Sequence, residues 1–290
     1  MSWVSRKLLS RRFLLVLGVC LMLCASVAVA QRGGRWWQDG GIETSRNGVP
    51  DWGINEGFKS DVFTFVRIKY ESIGGRGRGG GGWRTDYRDS DLNFSLRLQQ
   101  LTTLKVDPEP KVLELTDQRL FDYPFIYIIE PGALYFSEAE VQALRKYCLN
   151  GGFLMVDDFW GDYQYENLRE QLARVFPDRA PFEVPLEHEI FHCVYDLKEK
   201  PQVPAINAAY RMQNGQVGSW ENAADGSDTR TPHYRAITDD KDRIMVFICH
   251  NTDLGDGWER EGEDPWYFEE FSVKKAYPMG INIVTYAMTH

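Results

Sequence analysis

Acidic and imidazole side chains follow the apolar runs of this 290-residue sequence at the point where each run ends. Asp157 comes directly after the run FLMV, and His250 comes directly after the run IMVFIC. Two carboxylates from such positions can ligate a hard divalent cation or can act as a general acid and base pair. We therefore take as candidate catalytic residues Asp157, Asp158, His250 and Asp253, with a divalent metal as the cofactor that this chemistry would use. The alternative is that one of the paired aspartates only caps the next helix.

Further polar and aromatic residues lie in the same segments and extend the candidate site to a ligand-binding surface. Ligands of open α/β sheets bind beyond the carboxyl ends of the strands, which is where these segments would lie. The candidate ligand-binding residues are Trp83, Asp86, Asp91, Trp160, His188, Asn251, Asp256 and Trp258. The mixture of rings and acids favours a carbohydrate or another protein as the partner.

The segment His188–His192 matches the pattern H-E-x-x-H, which binds zinc when a helix places both imidazoles on one face. Pro181 and Pro185 precede it, and Cys193 begins a stretch of strand-like composition, so no helix of useful length is expected. A zinc protease site is therefore not predicted here.

The first thirty residues have the composition of a secretory signal. Arg6, Lys7, Arg11 and Arg12 precede an apolar run, and Ala28-Val29-Ala30 has the small-x-small pattern of a cleavage site. The sequence thus predicts a signal peptide over residues 1–30 and a periplasmic or secreted protein. An uncleaved anchor is the alternative, and membrane contact is expected only through this segment.

Charge and cysteine content restrict the partners further. The chain has a net charge of −9 at pH 7, and residues 1–30 contain basic residues but no acidic one, so the remainder is more acidic still. Such a chain repels polyphosphate backbones, and no nucleic acid partner is expected. The three cysteines beyond the signal, Cys148, Cys193 and Cys249, are widely spaced and are expected to be free thiols.

The apolar runs predict buried strands and the segments between them predict helices. Runs without alternation suit parallel strands that are covered on both faces. The predicted strands are Asp61–Tyr70, Phe125–Ile129, Phe153–Val156 and Ile244–Cys249. The predicted helices are Asp91–Leu104, Ser137–Leu149, one that contains Leu168 and Leu172, and Gly280–Met288. Residues 31–57 form an irregular lead-in, residues 58–290 form one α/β domain, and residues 198–243 form a long loop within it.

Several motifs, taken in order, resemble a bacterial family known as domain of unknown function 4159. They are Trp83 with Thr85-Asp86-Tyr87 and Asp91, Tyr123–Tyr127, Gly151–Leu154 with Asp157–Trp160, His250–Glu259, and Gly280, Asn282, Tyr286 and Thr289-His290. The resemblance spans about residues 60–290. It implies a class I glutamine amidotransferase-like fold similar to trehalose-utilisation-type domains, which is a flavodoxin-like, three-layer, open and mostly parallel sheet. It also implies a place in envelope assemblies.

The resemblance carries no activity with it. Amidotransferases need a cysteine in a tight turn between strand and helix, whereas the corresponding turn here holds Asp157, Asp158 and Phe159. Two hypotheses follow. The first is an exported ligand-binding or envelope assembly module that recognises a carbohydrate or an envelope protein. The second is a metal-assisted hydrolase that uses the acidic and imidazole groups at the strand ends.

Overall fold

A seven-stranded sheet forms the centre of the computed structural model, which describes residues 45–54, 57, 61–73, 82–211 and 215–290. In chain order the strands are β1 (Val66–Ile68), β2 (Glu71–Ser72), β3 (Lys111–Leu113), β4 (Phe125–Ile129), β5 (Leu134–Tyr135), β6 (Phe153–Asp157), β7 (Phe182–Glu183), β8 (Tyr210–Arg211), β9 (Val217–Gly218), β10 (His233–Thr238) and β11 (Ile244–His250). The order in the sheet is β3-β1-β4-β6-β11-β10-β7. Its first five strands are parallel, β10 runs antiparallel to β11, and β7 runs antiparallel to β10 and hence in the same direction as the first five.

Helices occupy the segments between these strands and the end of the chain. They are α1 (Asp89–Leu101), α2 (Glu138–Leu149), α3 (Gly161–Val175), α4 (Leu254–Glu259), α5 (Pro265–Tyr267) and α6 (Tyr277–Thr289). A π-helical segment, Phe268–Ala276, joins α5 to α6. Helix α2 begins with a capping box in which Ser137 accepts from the backbone of Glu140 and the Glu140 carboxylate accepts in return, as the sequence predicts.

Alternate side chains of the central strands enter two separate apolar cores, one on each face of the sheet. Phe125, Tyr127 and Ile129 of β4 belong to a core that includes residues of α1, α4 and α6. Ile126 and Ile128 belong to a second core that includes residues of α2 and α3. Helices therefore cover both faces of a mostly parallel sheet, which confirms the predicted three-layer α/β architecture.

The predictions for single elements are accurate where the sequence pattern is continuous. Strands β4, β6 and β11 and helix α2 lie where the sequence places them. The prediction of a strand over Asp61–Tyr70 is too long, because only Val66–Ile68 pairs as a strand and Phe63 makes an isolated bridge to Val106. The prediction of a loop over residues 198–243 is wrong in part, since it misses β8, β9 and β10.

The described residues from Ser45 onward form one compact unit. Part of the predicted lead-in belongs to this unit: the Arg46 guanidinium donates to the carbonyl of Pro108, and the Trp52 ring nitrogen donates to that of Val106. The predicted signal peptide lies outside the described residues. Within the described ranges, no helix has both the length and the apolar character that crossing a membrane requires.

Candidate functional site

Three neighbouring parallel strands end side by side and form what we name the carboxyl edge of the sheet. The residue that follows β4, β6 and β11 is Glu130, Asp158 and Asn251 respectively, and each has a left-handed backbone with φ of 49°, 57° and 58°. Asp86, in the segment before α1, has a φ of 58°. Non-glycine residues pay a conformational cost for this backbone, and such residues cluster at functional sites.

A group of three carboxylates, which we name the carboxylate trio, lies beside this edge. Asp86, Asp253 and Asp256 each offer an oxygen, and these oxygens all lie within 4.8 Å of one another. Asp253 is the N-cap of α4, and its Oδ1 accepts from the backbone N–H of Asp256 at 2.7 Å. Two regions of the chain that are far apart in sequence thus bring their acids together.

Asp157, the last residue of β6, lies next to the trio and is fully buried. Its Oδ2 accepts from the Tyr127 hydroxyl at 3.2 Å and from the backbone N–H of Gly255 at 3.0 Å. Its Oδ1 and the Oδ2 of Asp86 are both buried and have no hydrogen-bond partner among the described residues. A Cβ on Gly255 would lie 2.7 Å from Asp86 Oδ2, so only glycine permits this close approach.

Burial disfavours the charged forms of these acids, and their mutual repulsion acts in the same direction. Burial and the nearby Glu259 raise the pKa of Asp86 well above its usual range. Burial is also the main cause that raises the pKa of Asp253 well above its usual range, and the charges of Asp158 and Asp86 add to it. Burial raises the pKa of Asp157 to about 7. Asp86, Asp157 and Asp253 are thus harder to ionise than exposed aspartates, because burial raises the pKa of each.

Three glutamates and Asp158 extend the acidic surroundings of the trio. Burial, followed by the charge of Glu130, raises the pKa of Asp158 well above its usual range. Glu130 accepts from the backbone N–H of Gly82, and Glu221 accepts from that of Ala205 at 2.7 Å. Burial raises the pKa of Glu221, and it raises the pKa of Glu259 to about 7. The site thus combines many acids with little exposure to water.

Two arginines lie near the trio, and both already bind acids. The buried guanidinium of Arg67 pairs with Asp91 and donates to the carbonyls of Trp83 at 3.1 Å and Thr85 at 2.8 Å. Arg67 therefore positions the segment that carries Asp86. Arg260 donates from Nε to Asp256 Oδ1 at 3.0 Å. These two charges leave most of the carboxylates uncompensated.

A segment from the region predicted as loop covers α4. The backbone N–H of Ile206 donates to Asp256 Oδ2 at 2.6 Å, and the carbonyl of Val203 accepts from the N–H of Asp253 at 2.8 Å. The Tyr267 hydroxyl donates to the carbonyl of Pro204 at 2.7 Å. The covering segment consequently fixes two members of the trio and keeps water away from them.

His250 is not brought into this group. Its Nδ1 lies 2.9 Å from an Arg235 nitrogen, its Nε2 lies 3.1 Å from the carbonyl oxygen of Gly161, and its ring stacks on Phe159 and Tyr165. Burial and the neighbouring Arg235 lower the pKa of His250 to about 3, so the ring is neutral. Alternation along β11 directs this ring to the opposite face of the sheet from the one that Cys249 faces.

Three of the predicted ligand-binding residues have structural contacts within the chain. Asp91 is buried in its ion pair with Arg67. Trp258 is fully buried and donates from Nε1 to the carbonyl of Ala276 at 3.0 Å. Asn251 also has a structural role, because its Oδ1 accepts from the N–H of Gly161 at 2.9 Å.

Two tryptophans remain near the carboxyl edge. Trp83 is partly exposed, its ring centre lies 6.1 Å from that of Tyr87, and the guanidinium of Arg84 lies 5.2 Å from its ring centre. Trp160 follows the turn after β6 and is mostly buried, and its Nε1 has no hydrogen-bond partner in the described part of the chain. Trp83 is thus the aromatic residue of this pair that a ligand can reach directly.

His188 lies at the other end of the sheet. Its ring accepts from the N–H of Ile190 and caps a 3-10 turn, Glu189–Phe191. It also packs near Tyr286, whose hydroxyl accepts from the N–H of Ile244 at the start of β11. The structure therefore separates His188 from the carboxyl edge, and the H-E-x-x-H segment forms no helix longer than this turn, as the prolines indicate.

The backbone donors that begin α3 already have partners within the chain. The N–H of Asp162 donates to Ser227 Oγ at 2.8 Å, and that of Tyr163 donates to Asp225 Oδ2 at 2.7 Å. The three described cysteines are free, and none of them lies in the turn between β6 and α3. This turn therefore holds neither a nucleophilic thiol nor a vacant group of backbone donors.

Sequence reasoning missed several residues that shape the site. Tyr127, Gly255 and Glu221 are absent from the candidates, although all three contact or border the acids. The spacing of Asp253 and Asp256 at the start of a helix was a usable sign, because an N-cap acid places its side chain over the third helical residue. Nothing near Glu221 in the sequence marks its position.

The fold and the site together define a three-layer α/β domain with a buried acidic centre at the carboxyl edge of its sheet. The chain belongs to the family described as Domain of unknown function (DUF4159), whose model matches residues 64–288. This match confirms the family to which the sequence motifs point. No curated protein matches the chain.

Proposed function

We propose that this protein is a ligand-binding module of the bacterial envelope that binds a carbohydrate at the carboxyl edge of its sheet. The observation that carries the proposal is the pair of buried, unpartnered carboxylate oxygens on Asp86 and Asp157. Buried acceptors without donors are costly, and a ligand that brings hydroxyl groups or other hydrogen-bond donors would satisfy them. The partly exposed ring of Trp83, three residues before Asp86 in the chain, offers an apolar face for a sugar ring.

The strand-to-helix turn argues against amidotransferase chemistry. Asp158 occupies its left-handed position, where a thiol nucleophile would be needed, and Cys249 on the neighbouring strand is fully buried. Burial raises the pKa of the Cys249 thiol well above its usual range, which removes the reactive thiolate. The parallel order of the five strands still supports the finer fold assignment, which is a flavodoxin-like sheet of the class I glutamine amidotransferase-like type.

Export is part of the proposal and depends on residues 1–30 alone. The basic start, apolar run and small-x-small end of this segment would deliver the protein to the periplasm or the medium. Carbohydrates of the envelope are present there, and so is the alternative ligand, an envelope protein.

The test is a glycan array that includes peptidoglycan fragments, probed with the full chain and two variants. We expect Trp83→Ala to lose retention, since it removes the stacking face. Phe121→Ala removes an exposed ring from the 3-10 turn Gln118–Asp122, which precedes the amino end of β4, and we expect it to keep retention. No retention of any glycan by the wild-type chain, or equal retention by the Trp83 variant, would refute the carbohydrate version.

Metal-assisted hydrolysis is a second candidate function, and the proton affinity of Asp157 favours it. A carboxyl group with a pKa of about 7 can accept and release protons at neutral pH, as a general base must. Such a reaction would proceed without His250, because that ring faces the other side of the sheet. Hydrolysis of a panel of ester and glycoside substrates, abolished by Asp157→Asn, would favour this candidate over simple binding.

A further inference from the structure

The carboxylate trio has the geometry of a site for a hard cation. Its three oxygens come from Asp86 on one segment and from Asp253 and Asp256 on α4, and they lie within 4.8 Å of one another. Calcium accepts about six to eight oxygen ligands in flexible geometry, whereas magnesium requires a near-ideal octahedron and usually keeps several waters. Asp253 and Asp256 are almost fully buried, which leaves little room for retained waters, so calcium suits this site better than magnesium.

A separate observation also points to a bound cation at this position. Asp157 is fully buried, and its Oδ1 has no hydrogen-bond partner within the described ranges. The other oxygen of this carboxylate accepts from the N–H of Gly255, which lies between Asp253 and Asp256 on the first turn of α4. The Oδ2 of Asp86, close to the same glycine, is equally unpartnered. Two buried acceptors without donors thus belong to carboxylates that both lie close to Gly255, beside the trio.

Charge in this space is strongly unbalanced. Asp158, Glu221 and Glu259 lie around the four aspartates, and they interact electrostatically with Asp253, Asp256 and Asp86 respectively. Of the two nearby arginines, Arg67 pairs with Asp91 and Arg260 pairs with Asp256. A divalent cation would supply positive charge that these two arginines do not provide.

Contacts outside the trio hold its members in place before any ion arrives. Asp253 is fixed by the N–H of Asp256, and Asp256 is fixed by the N–H of Ile206. Arg67 holds the carbonyl of Thr85, the residue before Asp86, at 2.8 Å. Such supporting contacts orient metal ligands and lower the entropy cost of binding.

We propose that Asp86, Asp253 and Asp256 bind one divalent cation, calcium in preference to magnesium, with Asp157 as a further buried carboxylate beside them. Zinc is disfavoured because none of the three ligands is a histidine or a cysteine. This proposal goes beyond carbohydrate binding and stands or falls without any glycan.

The test is calorimetric titration of the full chain, freed of metal by a chelator, with calcium chloride and then with magnesium chloride. We expect one equivalent of calcium to bind, with a matching rise in melting temperature, and magnesium to bind more weakly. Asp86→Asn should weaken calcium binding by about 100-fold or more, since the loss of an outer-shell partner alone costs about 10- to 100-fold. Asp86 is the ligand to change because Asp253 and Asp256 also support α4.

Two more variants keep the test decisive. Gly255→Ala leaves the charge unchanged and directs a Cβ to within 2.7 Å of Asp86 Oδ2, so it should weaken calcium binding even if Asp86→Asn fails to fold. Asp122→Asn removes an exposed acid from the turn that precedes the amino end of β4 and should leave calcium binding unchanged. The proposal is overturned by the absence of heat and of a melting shift with calcium, by a preference for magnesium, or by unweakened calcium binding in Gly255→Ala.

Discussion

Replacement of His250 by glutamine provides a direct measurement of how strongly the protein holds this imidazole neutral. The pKa of the ring falls to about 3, first because it is buried and second because Arg235 lies against it. A glutamine side chain can still accept from Arg235 and donate to the Gly161 carbonyl, but it does not titrate. The variant therefore removes the proton linkage and retains the hydrogen bonds.

The sign and size of the effect follow from the two pKa values of the ring. In the unfolded chain the imidazole titrates near 6.5, so below that pH the unfolded state binds a proton that the folded state excludes. The stability that depends on neutral His250 is complete above pH 6.5 and is lost as the pH falls towards 3. Between pH 7 and pH 5 the loss is about 2 kcal/mol, and any folded-state pKa below about 4 gives the same figure.

The assay is urea unfolding of the wild-type chain and of His250→Gln at pH 7 and at pH 5. We expect the wild-type protein to lose about 2 kcal/mol relative to the variant between these two pH values. The buried aspartates titrate in both proteins, so their contribution cancels in the difference. Equal pH dependence in the two proteins, with unchanged dependence on urea, would refute the view that His250 is buried and neutral.

Three further predictions concern the contacts that position the site. Asp91→Leu should lower the free energy of unfolding by about 3–5 kcal/mol, because it leaves the buried charge of Arg67 unpaired. The double variant Asp91→Leu/Arg67→Met should regain much of that loss, and urea unfolding measures both effects. Ser137→Ala should cost about 1 kcal/mol in the same assay because it removes the capping box of α2. Gly161→Ala should lower the melting temperature, because the φ of Gly161 is 84° and an added Cβ would lie 2.4 Å from the Cβ of Ala223. An unchanged melting temperature would contradict that geometry.

Local signals explain why part of the fold could be predicted. The runs FIYII and FLMV are apolar at every position, so burial on both faces is the only stable arrangement for them. Ser137 and Glu140 satisfy the first donors of a helix within four residues of each other. Each of these signals involves neighbours in the sequence, and each is therefore visible without the tertiary structure.

Strand β10 shows why other elements could not be predicted. Its side chains alternate between buried Tyr234 and Ala236 and partly exposed His233 and Arg235, and the strand follows a long stretch rich in proline and glycine. The polar half of this alternation resembles a loop unless the neighbouring strand is known. Pairing with β11 supplies the missing constraint.

The candidate site, like the fold, could be predicted from the sequence only in part. From the order of residues alone, Asp157, Asp158 and Asp253 had to follow buried strands, because hydrophobic burial places those strands in the interior and leaves the polar residues at their ends. Which face of the sheet each side chain enters depends on the helices that pack there, and this is why Asp157 joins Asp253 and Asp256 while His250 stacks on the other side. Asp86 lies beside this group because the Arg67 guanidinium donates to the carbonyl of the preceding residue, Thr85. This contact joins segments that are distant in the sequence, so it forms only in the folded chain.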